Sequence, residues 1–227
     1  MTLGAPAEAL ANASLALARA LHGGATMWCW SPESDSHAHH LAVEFVHPVV
    51  VGKPALPALA VEPGDVAEQL RRTARPGDVL VVVAAGDHAG AADVAARAPA
   101  WALDVIWLAT GPAPSTSTSA RVVDLGTGAD DADIVCAYHL LWELTHVCLE
   151  QPGVLTAPVD TGTSCPACLD AGDLGEVERI GDPDATVVIG GMPQPVDLSL
   201  VGPCEVGELV VVHAGVAIAR LAGAGNG

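Results

Sequence analysis

Five short apolar runs, one of them strictly alternating with polar residues, crowd the last part of the chain. Val177–Ile180, Thr186–Ile189, the strictly alternating Val196-Asp-Leu-Ser-Leu200, Leu209–His213 and Val216–Arg220 each read as a strand. Gly181-Asp-Pro183, Gly190-Gly191, Gly202-Pro203 and Gly215 break the runs apart. So little chain cannot bury two packed sheets, which predicts one small curled β-barrel of OB type. Cys165-Pro-Ala-Cys168 falls on a loop just before its first strand.

Upstream the period changes. Ala5–Leu21 reads as a helix with Leu10, Leu17 and Leu21 on one face and His22-Gly-Gly24 as its stop. Thr26–Trp30 reads as a buried strand, and a second helix runs from an N-cap at Ser36 to Val46. A helix over Val66–Thr73 is followed by the strand Val79–Ala84, the turn Gly86-Asp-His-Ala-Gly90, the helix Ala91–Ala98 and the strand Val105–Ala109. That succession is a βαβ unit of parallel sheet, whose crossover should be right-handed. Ser115–Ser119 reads as a loop, Arg121–Leu125 as another strand and Ala132–Glu150 as a long final helix. The fold class is therefore α/β: a three-layer parallel sheet with flanking helices over residues 1–152, a linker over 153–164, a β-barrel over 165–222 and a short tail over 223–227.

The chain has 227 residues with 9 Lys plus Arg against 27 Asp plus Glu, a formal net charge of −18. A surface so negative argues against nucleic acid and anionic membrane as partners. The mean hydropathy of +0.41 comes from dispersed Ala and Val. The longest apolar run, Val79–Ala85, is too short to span a bilayer. With no basic stretch ahead of an apolar one at the N-terminus, a cytoplasmic protein is expected. Its six cysteines are then thiols and metal ligands rather than disulfides.

The C-terminal motifs carry a resemblance. Cys165-Pro-Ala-Cys168-Leu-Asp, Val177-Glu-Arg-Ile180, Val196-Asp-Leu-Ser-Leu-Val201 and Val206-Gly-Glu-Leu-Val-Val-Val-His-Ala-Gly-Val-Ala-Ile218 follow the order and spacing of the HypC/HybG/HupF-type [NiFe]-hydrogenase maturation chaperones. The resemblance implies that Cys168, or Cys165, together with His213 holds a transient Fe(CN)2CO fragment. It implies as partners a maturation protein of HypD type and the hydrogenase large-subunit precursor. Many family members begin Met-Cys, whereas here the cysteines lie deep in the chain. Chemically, a soft thiolate and a borderline imidazole with open positions hold a metal fragment without locking it in. A closed zinc site would need further ligands nearby. The plainer reading makes Cys-x-x-Cys a redox or incidental pair and His213 an ordinary strand histidine.

The upstream part resembles the sugar-isomerase (SIS) fold, and more closely its phosphoheptose isomerase branch. Pro76-Gly-Asp-Val-Leu80 with the Gly turn after it, Asp104-Val-Ile-Trp-Leu-Ala-Thr-Gly111 and His40-Leu-Ala-Val-Glu44 carry the likeness. It implies dimers or tetramers and a phosphosugar site built from hydroxyl-rich loops. Here those loops read Val83-Ala-Ala-Gly86-Asp87-His88 and Trp30-Ser-Pro-Glu33-Ser-Asp35, so the first has lost its hydroxyls and the second has gained two carboxylates that repel a phosphate. Metal-dependent members of the branch use a His and a Glu one helical turn apart, which His40 and Glu44 match. The other two ligand positions, on the last helix, fall at Cys136 and Leu144. Cys136, His139, Glu143 and His146 share one helical face, and with His40 and Glu44 offer a different metal site, for zinc.

The plainer reading of that face is a solvated stripe opposite Leu140, Leu141, Leu144 and Val147. The histidines at 37, 39, 40 and 47 read likewise as a hydrated helix face, and Trp28, Trp30, Trp101, Trp107 and Trp142 as core. Two functions follow from these readings. One is a chaperone and scaffold for hydrogenase assembly. The other is a metal-dependent phosphosugar isomerase with Glu44 as general base and a metal at His40. In the first, the upstream domain serves dimerisation, docking or effector binding.

Overall fold

The computed structural model describes residues 5–114, 120–156, 172–181 and 184–221. In chain order the elements of its first part are α1 (Ala5–His22), β1 (Met27–Trp30), α2 (Asp35–Val46), β2 (Ala58–Ala60), α3 (Val66–Thr73), β3 (Val79–Ala85), α4 (Ala89–Arg97), β4 (Asp104–Thr110), β5 (Arg121–Gly126), α5 (Asp131–Leu149) and α6 (Pro152–Thr156). Five parallel strands form one sheet in the order β2-β1-β3-β4-β5. β3 reads Val-Leu-Val-Val-Val-Ala-Ala and is buried along nearly its whole length, as a central parallel strand covered on both faces must be. The chain leaves β1 toward β2 and leaves β3 toward β4. The crevice beyond the carboxyl ends of β1 and β3 is therefore the topological switch point, where open α/β sheets bind ligands.

Polar side chains fix the frame. The Asp78 carboxylate accepts from the Thr26 amide at 2.8 Å, and from the Trp28 indole and the Arg75 amide, each at 2.9 Å, so it ties the entry of β1 to the entry of β3. Asp130 starts α5 with a capping box, accepting from the Ala132 and Asp133 amides while Asp133 reaches back to the Asp130 amide. The buried seam of α5 is Ile134, Ala137, Tyr138, Leu141, Trp142, Thr145 and His146, and the helix packs on α1. Trp28, Trp107 and Trp142 are core residues, as their type suggests.

Two corrections concern this part. Ala58–Ala60 is a parallel edge strand that the pattern does not reveal, since three residues cannot display a period. α2 begins at Asp35 after an N-cap at Ser34, not after Ser36. The Ser115–Ser119 loop lies outside the described residues.

The second part is an antiparallel five-stranded sheet of order β10-β9-β6-β7-β8. Its strands are β6 (Asp173–Arg179), β7 (Ala185–Ile189), β8 (Met192–Val196), β9 (Leu209–His213) and β10 (Val216–Leu221). Val177, Ala185, Val187, Val196, Val210, Val212 and Ala217 form its core. A single bridge between Asp197 and Val216 links the end of β8 to β10, so the two edges of the sheet meet there. The alternation over Val196–Leu200 proves misleading. The Asp197 carboxylate takes the Ser199 amide at 2.7 Å and Leu198 closes a turn to Val201, so the strand ends at Val196. β8 runs instead through Pro193 and Pro195, which an edge strand tolerates.

The chain forms two compact units, Met1–Ala96 with Leu103–Ala157, and Arg97–Ala102 with Pro158–Gly227. Six residues from the α4–β4 connection thus belong to the second unit. Within it, Arg97 donates to Glu176 at 2.8 Å and to the Gly207 carbonyl at 2.5 Å, and Trp101 donates its indole N–H to the same carboxylate. The Gly191 amide donates to the Ala100 carbonyl at 2.8 Å. Trp101 is therefore buried, and Ala102 leaves the turn with a left-handed φ of 57°.

Candidate functional site

In the first unit, α2 and α5 bring three donors together. His40 Nε2 lies 3.2 Å from Glu44 Oε1, the two residues being one turn apart on α2, and His139 Nε2 on α5 lies 3.5 Å from the same oxygen. One ligand atom from each of His40, Glu44 and His139 falls within 4.8 Å of the others. Four ligands about 2.0–2.1 Å from a tetrahedral zinc stand about 3.3 Å apart, close to both separations from Glu44. Two imidazoles and a carboxylate are also the donor types that zinc takes with one position left open. The residues therefore fit a divalent metal of the kind the isomerase resemblance implies.

Behind this group lies Tyr138, the one tyrosine of the chain and fully buried. Its hydroxyl is 2.7 Å from His40 Nδ1. Its ring meets His40 and His139 edge to face, with centroids 5.1 and 5.3 Å away. Burial, then the carboxylates of Glu44 and Asp131, push the phenol up to about 12, so it is neutral at physiological pH. His37 lies 3.6 Å from Asp131, with Tyr138 beside it. Sequence reasoning missed Tyr138; its adjacency to His139 at the one tyrosine of the chain was the available signal.

The other expected ligands do not join the group. Cys136 and Glu143 are exposed on α5 and lie outside it. His146 is 1% exposed, with Nδ1 3.0 Å from the Trp142 carbonyl oxygen and Nε2 3.2 Å from that of Pro54. It is an interior residue committed to backbone, not part of a solvated stripe. The stripe reading fails on the apolar side as well, since Val147 is 45% exposed. The reason is the seam of α5, which turns residue 146 inward and 147 outward. His39 and His47 are exposed, as a hydrated helix face requires.

At the switch point, the Ala85 amide at the end of β3 donates to Glu33 Oε2 at 3.2 Å. Gly86 follows, and a Cβ there would come within 1.9 Å of the Pro112 carbonyl oxygen, so the turn admits only glycine.

In the second unit, His213 is the last residue of β9. It pairs with Val216 across a two-residue turn in which Ala214 and Gly215 both have positive φ, 49° and 82°. The Asp197 amide donates to the Gly215 carbonyl and the Ala217 amide to the Asp197 carbonyl, each at 2.9 Å, so the Asp197 turn braces the hairpin that carries His213. The histidine is exposed. Cys204 lines an open cleft with Ile180, Ala185, Leu198 and Pro203, where burial pushes its thiol up and away from the reactive thiolate. Cys165 and Cys168 lie outside the described residues.

Among the described residues no helix is long and apolar enough to cross a membrane. No curated protein sequence matches the chain. Among solved structures it is similar to a phosphoheptose isomerase from Francisella tularensis, at 19% identity and a TM-score of 0.53, over 63% of this chain and 86% of that one. It is also similar to a phosphoheptose isomerase from Neisseria gonorrhoeae, at 20% identity and a TM-score of 0.49, over 66% and 87%. The first likeness establishes the fold of the N-terminal two thirds and nothing of its chemistry. Residues 172–224 match the HupF/HypC family, a span that takes in His213 and begins after Cys168. The chain thus joins a segment that matches the HupF/HypC family to a domain with the fold of the phosphoheptose isomerases.

Proposed function

We propose that this chain is a hydrogenase assembly protein whose C-terminal unit holds or transfers an Fe(CN)2CO fragment as its cargo. The observation that carries the reading is the HupF/HypC match over residues 172–224, with His213 displayed at the tip of a braced hairpin. Cys168 or Cys165 supplies the soft thiolate and His213 the weaker imidazole donor. Such a pair leaves positions open and lets the fragment pass from a HypD-type protein to the large-subunit precursor. In this reading the sheet serves as a small OB-type barrel, which the bridge between Asp197 and Val216 supports. The isomerase-like unit gives a homodimer or homotetramer and a docking or effector surface, and His40, Glu44 and His139 hold a resident zinc. The protein works in the cytoplasm, and its net charge of −18 keeps it off nucleic acid and anionic lipid.

The test is anaerobic affinity purification of the full chain. Wild type is expected to bring down a HypD-type protein or a large-subunit precursor and to show infrared bands of bound cyanide and carbon monoxide. The C168A variant is expected to lose both, and H213A to weaken the bands. Unchanged bands and partners in a C165A/C168A double variant would overturn the reading.

A second reading, a metal-dependent sugar-phosphate isomerase, is favoured by the His40, Glu44 and His139 group on this fold. A metal there would polarise a carbonyl oxygen, and Glu44 would take up the proton from the adjacent carbon. Absence of turnover of ketose and aldose phosphates, with and without added zinc, would exclude it.

A further inference from the structure

The metal group has a feature that its ligands alone do not explain. A buried hydroxyl requires a hydrogen-bond partner, and that of Tyr138 has found the far nitrogen of His40, 2.7 Å away. A hydroxyl both donates and accepts, so it can serve His40 in either neutral tautomer. With no metal bound and the ring neutral, the two contacts, 2.7 Å at Nδ1 and 3.2 Å at Nε2, would be met by the Tyr138 O–H donating to Nδ1 and the His40 Nε2–H donating to Glu44. A metal on Nε2 requires the other tautomer. The proton then sits on Nδ1, and the Tyr138 oxygen accepts it. Solvent carries one proton away from Nε2 and delivers one to Nδ1, so the net charge of the ring does not change.

We propose that Tyr138 is the positioning residue of this centre, holding His40 in the orientation and tautomer that present Nε2 to a divalent metal, and that His139 is the ligand from α5. Three rings support the assignment: Tyr138, His40 and His139 meet pairwise edge to face, with centroids 5.1 to 5.3 Å apart and interplanar angles of 74 to 87°. Tyr138 is itself anchored in the core that includes Leu141 and Phe45, so the orientation it imposes is backed by packing rather than by the surface. His139 also answers the loss at positions 136 and 144, where an exposed cysteine and a leucine stand. A partner on the second imidazole nitrogen is the usual way a metal-ligating histidine is oriented, and its removal lowers metal affinity by about 10–100-fold.

The inference rests on the reading that the first unit holds a resident metal, and the test separates the two. Zinc and cobalt(II) affinities are measured by competition with a chromophoric chelator, in the full chain carrying C165S and C168S so that those thiols do not compete. The parent is expected to bind one ion per chain, and E44Q and H139A to lose it. Y138F, which keeps the ring, should bind with the same stoichiometry about 10–100-fold more weakly and show an altered cobalt spectrum. If the parent binds no ion, the metal reading falls and the inference with it. If the parent binds and Y138F matches it in affinity and spectrum, the inference alone falls. Nitrogen-15 NMR of the parent decides independently of how Y138F folds: His40 should carry its proton on Nε2 without zinc and on Nδ1 with it. A proton that stays on Nε2 in the presence of zinc overturns the assignment.

Discussion

The carboxylate of Glu33, on the loop after β1, accepts a hydrogen bond from the amide of Ala85 at the end of β3, 3.2 Å away. That amide faces the crevice in which a sheet of this topology receives an anionic ligand. The chain has put one of its own anions there. A phosphate brought within about 4 Å of a carboxylate meets a repulsion of about 4 kcal/mol at an effective dielectric near 20. Wild-type protein should therefore show no thermal shift with millimolar inorganic phosphate or ketose phosphates, and E33Q should gain one. A shift in wild type as large as that in E33Q would refute the repulsion by Glu33.

Glu176 is a buried carboxylate that takes hydrogen bonds from Arg97 and Trp101. Removing the cation leaves the anion buried and uncompensated, at a cost of about 3–5 kcal/mol, whereas E176Q keeps an acceptor oxygen and should cost less. R97A is expected to lower the urea midpoint of the full chain and to red-shift tryptophan emission as Trp101 becomes wet. Equal midpoints for wild type and R97A would contradict this role.

Stability should fall on the alkaline side. In the unfolded chain Tyr138 ionises near its ordinary value of about 10, whereas in the folded protein it holds its proton to about 12. Between those values the unfolded chain binds fewer protons than the folded one, so stability declines as pH rises through that window. Burial pushes Cys29 up as well and adds a decline of the same sign. Urea midpoints recorded from pH 8 to 11 should drop less steeply for Y138F than for wild type. Parallel slopes would show that Tyr138 does not contribute.

Much of this architecture is legible before any coordinates. β9 spans Leu209–His213 and α3 spans Val66–Thr73, as a bounded apolar run and the i,i+4 pair Val66 and Leu70 require, because each signal lies within the element itself. What fails is what depends on neighbours. The prolines of β8 look like strand breakers until the strand is known to sit at an edge. Asp197-Leu-Ser199 looks like alternation until the Asp197 side chain is seen to bond the Ser199 amide. In the metal group, His40 and Glu44 announce themselves by their spacing. Choosing His139 over Cys136, Glu143 and His146 requires knowing which side of α5 rests on α1. Tyr138 reads as one more aromatic until its hydroxyl is placed against His40.

The short turn Arg97–Ala102 bears on how such a protein can be rearranged. Its backbone and two of its side chains finish a sheet whose own strands begin at residue 173. The tail is thus not a cassette that can be cut out and grafted elsewhere as one contiguous stretch. Split genes, truncated clones and domain swaps that separate the halves near residue 157 would each strand an indole and a guanidinium on one fragment and their carboxylate on the other.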